Sequence, residues 1–246
     1  MTSKVFYTSI LGCLLVSTAV AQTQFQPQDT EFYTPKLRTV TTATGKAPSD
    51  AIVLFDGTSL NQWISSSDTL KSAPWTIDNG ILTVKPKTGN IQTKQHFEDF
   101  QLHLEWRSPL EIKGEGQGRG NSGVFLQGMY EVQVLDNDNN PTYVNGQAGS
   151  LYKQQPPLVT AWKKAGEWHT YDIIYTAPRF NKDGILIKKG HVTVLHNGVL
   201  IQNHTQIEGT TEYIGLPKII PHNAGPIILQ DHGDLVSFRN IWIRPL

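Results

Sequence analysis

This chain of 246 residues has one cysteine, no net charge and almost no segment of ten or more residues with helical periodicity. Its 21 Lys and Arg residues match its 21 Asp and Glu residues, so the formal charge is zero. A neutral chain has no excess positive charge to hold nucleic-acid phosphates or an anionic membrane surface, so neither is expected as a partner. Cys13 is the only cysteine and lies in a segment that we expect to be removed. The mature protein should therefore have no disulfide, thiol nucleophile or thiolate metal ligand.

Residues 1–21 have the pattern of a secretory signal peptide. Lys4 provides a positive start, residues 5–20 are mostly apolar, and Ala19-Val20-Ala21 is a typical cleavage site. Because this apolar run is too short to span a membrane and polar sequence follows it, we expect no transmembrane segment. We expect an exported protein, periplasmic or extracellular. A lipoprotein attached through Cys13 is the less favoured alternative, since the apolar run continues past that residue.

The rest of the chain divides into a polar arm and one domain. Residues 22–48 are rich in Thr, Gln and Pro and lack periodicity, which predicts a linker or a loosely docked arm. Over residues 49–246, short apolar or alternating segments follow one another with Gly, Pro and Asn between them. Asn79-Gly80 and Asn197-Gly198 can each supply the positive φ angles of a two-residue hairpin turn. These features predict an all-β domain at 49–246, a sandwich of two antiparallel sheets.

One predicted strand, at 130–136, places polar side chains together on one face. Alternate residues of a strand share a face, so its two valines suit the core while Glu131, Gln133 and Leu135 point outward. A solvated sheet face explains such alternation in many proteins. Polar residues just upstream and at the end of the strand favour a binding or catalytic site instead.

The segment 227–232 divides in the same way. Ile228, Gln230 and His232 share one face, and the strand ends in a loop, where functional residues are common. We expect Gln230 and His232 to converge with the polar side chains of the first strand on one concave surface.

Eight short motifs occur in the order typical of one bacterial protein family. They are LFDGTSLNQW at 54–63, GNSGVFL at 120–126, YEVQVLD at 130–136, GSLY at 149–152, GEWH at 166–169, LHNG at 195–198, GPIILQDH at 225–232 and FRNI at 238–241. In these motifs the chain resembles the 3-keto-disaccharide hydrolase domain family over residues 49–246. The sequence departs from the family pattern at His169, where asparagine is expected, and in a longer loop at 110–120.

The resemblance implies a jelly-roll sandwich of the concanavalin or laminin-G kind, exported by a Gram-negative bacterium. It also implies cleavage of glycosides that carry a ketone at sugar carbon 3. Such a ketone acidifies the proton on carbon 2, so the reaction needs a base, a stabiliser for the enolate and an acid for the departing oxygen. We expect Glu131 or His232 to act as acid or base, and Asp136 to be an orienting carboxylate or a metal ligand.

Further residues are candidates for binding an oligosaccharide or glycoside substrate. The amides of Asn121, Gln133 and Gln230 can position sugar hydroxyls by hydrogen bonds. The remaining candidates are Arg119 in the glycine-rich loop, Tyr152 and Trp162 as aromatic platforms, and Glu105 on the alternating segment 100–107. Each has an ordinary structural alternative, such as a solvated loop charge, core packing or a row of surface ion pairs. The other tryptophans of alternating segments, Trp106, Trp168 and Trp242, are expected in the core.

A polar run at 136–140 suggests a loop for a hard cation. It differs from the usual calcium loop at Pro141, where glycine is needed, and at Gln147, where glutamate is needed. An irregular site for a divalent cation such as calcium stays open, and no cofactor is assigned. The sequence has neither zinc-ligand spacing nor the Gly-x-Ser-x-Gly turn of many serine hydrolases.

The leading hypothesis is an enzyme that cleaves 3-keto-glycosides by elimination, as a lyase or, after water adds, as a hydrolase. Ordinary glycoside hydrolysis by two carboxylates is one alternative. A non-catalytic carbohydrate-binding module would use the same concave face without needing an acid and a base. A structural domain of the cell envelope is supported by fold analogy alone.

Overall fold

The computed structural model describes residue 1 and residues 24–246. The predicted signal peptide, apart from Met1, lies outside the described residues, and so does Cys13. The chain divides into two compact units, Met1–Thr39 and Val40–Leu246. The described part of the first unit contains one short 3-10 helix, whose residues are all exposed: Pro27–Thr30.

The second unit begins earlier than residue 49, the start of the predicted domain. Ser49 N–H donates to the Thr41 carbonyl over 3.0 Å, and Thr41 N–H donates to Ser49 Oγ over 3.1 Å. These two hydrogen bonds connect the end of the predicted arm with the domain.

Fifteen strands and two short 3-10 helices lie within residues 40–246. The strands are β1 (Ile52–Phe55), β2 (Trp63–Ser65), β3 (Thr76–Asp78), β4 (Ile81–Thr83), β5 (Ile91–Thr93), β6 (Phe100–Arg107), β7 (Ser122–Leu126), β8 (Tyr130–Val134), β9 (His169–Thr176), β10 (Arg179–Phe180), β11 (Leu186–Lys188), β12 (His191–His196), β13 (Val199–Gln206), β14 (Ile228–Leu229) and β15 (Ser237–Pro245). The two 3-10 helices are Gly116–Gly118 and Val144–Gly146.

The strands form two antiparallel sheets that pack as a jelly-roll sandwich. The eight-stranded sheet has the order β13-β12-β9-β6-β15-β4-β3, with β1 also paired to β15. The five-stranded sheet has the order β2-β5-β14-β7-β8, and β10 and β11 form a separate hairpin. The predicted fold class is confirmed. Among the described residues, no helix is long and apolar enough to cross a membrane.

Alternation along the strands decides which side chains enter the core between the sheets. On β6, every second side chain from Phe100 to Trp106 is buried, while the intervening polar side chains are half-buried on the outer face. The two Asn-Gly turns also form as predicted, connecting β3 to β4 and β12 to β13, with φ of 49° and 78° at Asn79 and Gly80.

Three expectations about the core are wrong. Trp242 is buried, but on the outer face, where it pairs with His103 and stacks on its imidazole with ring centres 5.1 Å apart. Trp168 is only half-buried, because it lies on the outer side between Arg107 and Arg239, whose guanidinium carbons are 4.7 and 4.1 Å from its ring centre. Leu135 is buried in the core instead of pointing outward with Glu131. Since β8 ends at Val134, the alternation of the strand does not extend to Leu135.

Candidate active site

The candidate site lies on the outer face of the five-stranded sheet, across β14, β7 and β8. Gly123 of β7 pairs with Gln133 of β8, and Phe125 pairs with Glu131. On the other side of β7, Gln230 N–H donates to the Gly123 carbonyl over 3.0 Å. Paired residues of neighbouring strands share a face, so Gln230, Gly123 and Gln133 form one row across the sheet. Phe125 and Glu131 belong to the next row.

These rows form the floor of a cavity of about 250 Å³. The lining residues are Asn121, Phe125, Glu131, Gln133, Tyr152, Thr211, Tyr213, Gln230 and His232. The structure thus brings together the four side chains expected on one concave surface, and it adds Asn121 and Tyr152 to them.

Gly123 provides the space for the carboxyl group at the centre of this floor. A Cβ atom on Gly123 would lie 2.3 Å from Glu131 Oε1 and 3.0 Å from a ring carbon of Phe125. Since both distances are below ordinary van der Waals contact, a side chain here would push the Glu131 carboxyl away. The lack of a side chain at this position therefore sets where the carboxyl group lies.

Glu131 is buried although it lies on the outer face, with 4% of its surface exposed. Two segments cover it and bond to its backbone: Tyr152 N–H donates to its carbonyl (3.0 Å), and its own N–H donates to Thr211 Oγ1 (2.9 Å). Within residues 24–246, no side chain donates a hydrogen bond to its carboxyl group. Burial raises the pKa of this carboxyl from 4.5 to about 8, so it is mostly neutral at physiological pH.

Amide side chains flank the carboxyl group. Gln117 Oε1 accepts a hydrogen bond from Gln133 Nε2 (2.8 Å), and the Gln117 carbonyl accepts one from Asn121 Nδ2 (2.6 Å). Asn121 Oδ1 and Gln230 Oε1 are buried without a hydrogen-bond partner in the described part of the chain. Buried polar atoms normally have a partner, so these two oxygens are available to hydroxyl groups of a ligand.

His232 lies on a turn whose backbone is held by Asp231. The Asp231 carboxylate accepts hydrogen bonds from the N–H groups of Thr88, Gly89 and Gly233, each over 3.0 Å. His232 itself is exposed where it lines the cavity. The turn is therefore fixed while the imidazole stays accessible to solvent and to a ligand.

Tyr152 lines the cavity on the side of β8. Its hydroxyl is 2.5 Å from the hydroxyl of Tyr143, and Lys153 Nζ lies 4.5 Å from the ring centre of Tyr213. Burial raises the pKa of the Tyr152 phenol, and the hydrogen bond with Tyr143 raises it further. The phenol therefore stays neutral and can exchange hydrogen bonds with a sugar.

The same part of the chain matches a known family. Residues 50–244 match the sequence profile of the 3-keto-alpha-glucoside-1,2-lyase-like domain. The chain belongs to this family. A curated relative, the 3-keto-disaccharide hydrolase of Bacteroides thetaiotaomicron, is 27% identical over 87% of this chain and 86% of its own length. The resemblance noted in the sequence motifs is thereby confirmed.

Solved structures from Parabacteroides distasonis are similar to this lyase-like domain. One, assigned as a glycosyl hydrolase and solved at 2.13 Å resolution, is 57% identical, with a TM-score of 0.85 over 90% of this chain and 97% of the other. A second, from the same organism, is 21% identical, with a TM-score of 0.60 over 80% of this chain and 94% of the other. At that identity the second structure supports the fold alone.

Asp136 and Arg119 lie beside the cavity of this family member without lining it. Arg119 Nε is 3.7 Å from Asp136 Oδ1, and the same oxygen accepts a hydrogen bond from Asp138 N–H over 2.8 Å. Gly120, with φ of 55°, passes close to both Ser108 and Asp136. This arrangement fixes the glycine-rich loop that carries Asn121.

Glu105 and Trp162 lie away from the cavity. Glu105 is on the outer face of the eight-stranded sheet, where its carboxylate accepts hydrogen bonds from Arg239 Nε (2.7 Å) and Asn240 Nδ2 (3.0 Å). Trp162 is exposed in the loop before β9. The structure does not bring either residue to the predicted concave surface, because Glu105 belongs to the opposite sheet and Trp162 to a loop outside the cavity lining.

The polar run at 136–140 uses its side chains to hold neighbouring backbone. Asn140 Oδ1 accepts the N–H of Gly116 (2.7 Å), and Asn137 Oδ1 accepts the N–H of Ala148 (3.1 Å). Over the described residues, no group of three or more His, Cys, Asp or Glu side chains is arranged to hold a metal ion. The run stabilises the two loops beside β8.

Some residues of the cavity were not predicted. Phe125 lies two residues after Gly123 on β7, so the two share a face, and the pairing of β7 with β8 would have placed Phe125 in the site. Thr211 and Tyr213 lie in a segment without strand pattern, and only the tertiary structure brings them over Glu131. Gln117 acts behind the cavity through its hydrogen bonds, which the sequence pattern does not indicate.

Proposed function

We propose that this protein cleaves the glycosidic bond of 3-keto-glycosides, with Glu131 as the general acid and His232 as the general base. The observation that carries the proposal is the neutral, buried Glu131 carboxyl in a cavity that also contains an accessible histidine and unpaired amide oxygens. Membership of the 3-keto-alpha-glucoside-1,2-lyase-like family and the name of the curated relative support the choice of substrate.

The ketone makes the first step accessible. It makes the C–H group at carbon 2 more acidic, so the exposed His232 imidazole, which lines the cavity, can take the carbon 2 proton. The electron pair of that C–H bond forms the enolate. Hydrogen-bond donors in the cavity, the amide groups of Gln133 and Gln230 and the Tyr152 hydroxyl, stabilise its negative charge.

The second step breaks the bond between carbon 1 and the glycosidic oxygen. The enolate electrons form the double bond between carbons 1 and 2, and Glu131 donates its proton to the departing oxygen. Glu131 suits this role because burial keeps its proton in place at neutral pH. The products are the free leaving-group alcohol and an unsaturated ketone.

Addition of water completes hydrolysis. Glu131, now a carboxylate, takes a proton from the water that attacks carbon 1, and His232 returns its proton to carbon 2. Both side chains thereby regain their starting protonation states. Release of the unsaturated ketone before water adds would make the same site a lyase.

The test compares a 3-keto-glycoside with its unoxidised parent. The expected result is release of the leaving group from the ketone substrate, with little release from the parent, which lacks an acidic proton at carbon 2. Comparable rates on both substrates would support ordinary two-carboxylate hydrolysis instead. Binding without release from either would make the protein a carbohydrate-binding module.

We also propose that the protein is exported after cleavage behind Ala21, on the basis of the signal-peptide pattern at 1–21. The mass of the mature protein from producing cells should correspond to a chain that begins at Gln22. A retained Met1, or a lipid on Cys13, would contradict this proposal.

A further inference from the structure

A second cavity, of about 540 Å³, adjoins the candidate active site. Its lining residues are Pro86, Pro109, Leu110, Glu111, Lys113, Gly233, Asp234 and Leu235. The two cavities share a wall: His232 lines the first and Gly233 the second. Asp234 connects this wall to β7, because its Oδ2 accepts the N–H of Asn121 over 2.8 Å.

The two cavities differ in chemistry. Amides, a carboxyl group, an imidazole and three aromatic rings line the first. In the second, two leucines and two prolines from three separate segments converge, with charged side chains at Glu111, Lys113 and Asp234. Leu110 and Leu235 are 80% and 53% exposed, so their apolar surface is accessible to a ligand. Single exposed leucines are common on proteins, but two of them beside a polar cavity form a candidate binding surface.

The orientation of a bound glycoside determines whether its leaving group reaches the second cavity. Tyr152 and Thr211 cover the first cavity on the side of β8, while His232 is exposed on the side of the segment 232–235. A sugar whose carbon 2 lies at His232 has its carbon 1 substituent next to it. Because Tyr152 and Thr211 close the side of Glu131, a substituent on the oxygen that Glu131 protonates must turn to the open side, towards Leu235 and Leu110.

We propose that the second cavity binds the leaving group of the glycoside, and that it selects apolar or aromatic leaving groups over a second sugar. The inference rests on the proposed function. Apolar surface gains free energy when a hydrocarbon group covers it, whereas sugar hydroxyls placed against leucine and proline carbons lose hydrogen bonds to water. The loop at 110–120 supplies Leu110, Glu111 and Lys113 to this cavity.

The test uses three 3-keto-glucosides: methyl, 2-phenylethyl and a disaccharide. The methyl and 2-phenylethyl compounds both release simple alcohols, so differences in kcat/KM between them report binding of the leaving group. The expected kcat/KM is at least about tenfold higher for the 2-phenylethyl compound than for the methyl compound, and the disaccharide should have no such advantage.

Variants locate the selectivity. Leu110→Ser and Leu235→Ser, or the milder Leu110→Ala and Leu235→Ala, should each reduce the ratio of kcat/KM between the 2-phenylethyl and methyl compounds. Ile187→Ser is the matched control, because Ile187 is an exposed apolar residue on β11 that lines neither cavity. The ratio of kcat/KM between the two compounds should be the same in Ile187→Ser as in the wild type.

The outcomes separate this inference from the proposed function. Cleavage of the methyl compound without any advantage for the 2-phenylethyl compound would overturn the leaving-group site and leave the proposed function intact. An advantage that persists in the leucine variants would overturn the assignment to this cavity. Failure to cleave any 3-keto-glucoside would overturn the proposed function itself.

Discussion

The outer faces of the two sheets carry similar polar patterns in sequence but differ in what surrounds the charges. On the eight-stranded sheet, Glu105 is bound by Arg239, and His103 lies 2.7 Å from Asp172. On the five-stranded sheet, Glu131 is buried, and no side chain among residues 24–246 forms an ion pair with it. A buried carboxyl group without a charged partner keeps its proton to higher pH. Covering loops, and not the strand pattern, bury the carboxyl group on one of the two faces.

The largest expected effect comes from removing the proton of the buried carboxyl. Glu131→Gln keeps the shape and most sugar binding but should lower kcat on a 3-keto-glycoside by about 10²–10⁴-fold, because general acid catalysis contributes on that scale. Glu105→Gln is the matched control on the other face and should leave kcat near the wild-type value. Near-normal kcat in Glu131→Gln would remove this residue from the mechanism.

The next effect comes from the space beside the carboxyl. Gly123→Ala places a Cβ 2.3 Å from Glu131 Oε1 and should displace it, lowering kcat/KM by about a hundredfold, as small misplacements of catalytic groups do. Gly118→Ala is the control, since its Cβ would meet nothing within 4 Å. Circular dichroism and the melting temperature check that both variants fold. Equal activity in the two variants would show that Gly123 does not set the position of Glu131.

The sequence predicted the sandwich, both Asn-Gly hairpins, the strand that carries Glu131 and the strand that ends just before Gln230, because alternation and turn chemistry are local. It did not predict that Glu131 is buried, since the covering residues Tyr152 and Thr211 are distant in sequence. The same limit applies to Glu105, whose strand alternates as clearly as β8 but lies in the opposite sheet. The alternation of apolar and polar residues shows which side chains share a face of a strand. Only the packing of the whole domain determines to which sheet the strand belongs and which loops cover that face.

The pH dependence of activity is expected to follow Glu131. With a pKa raised to about 8 by burial, the carboxyl holds its proton below that pH and loses it above. We expect kcat/KM on a 3-keto-glycoside to fall above about pH 8, approaching a tenfold loss per pH unit. The residual activity of Glu131→Gln should lack this alkaline limb. A limb that persists unchanged in the variant would assign it to another group.

A smaller effect is expected in stability. The pKa of the Glu131 carboxyl has the ordinary value of 4.5 in the unfolded chain and is about 8 in the folded protein. Between pH 4.5 and pH 8 the unfolded state has therefore released a proton that the folded state keeps. Stability of the wild type should therefore fall with rising pH across this window, by at most about 1.4 kcal/mol per pH unit from this group. Urea unfolding should show Glu131→Gln gaining on the wild type from pH 4.5 to pH 8. A constant difference between Glu131→Gln and the wild type would contradict burial of the carboxyl.

Deuterium at carbon 2 tests the central claim most directly. The reaction of a 3-keto-glycoside is run in D₂O with the wild-type protein, and the released sugar is examined by NMR, with an enzyme-free sample to correct for spontaneous exchange. Because His232 is exposed, the proton that it takes from carbon 2 exchanges with D₂O before one is returned. Elimination followed by addition of water therefore predicts deuterium at carbon 2 of the released 3-keto sugar, and a substrate deuterated at carbon 2 should react more slowly. Release of a sugar that retains its original carbon 2 hydrogen, at a rate unaffected by deuterium there, would contradict the account.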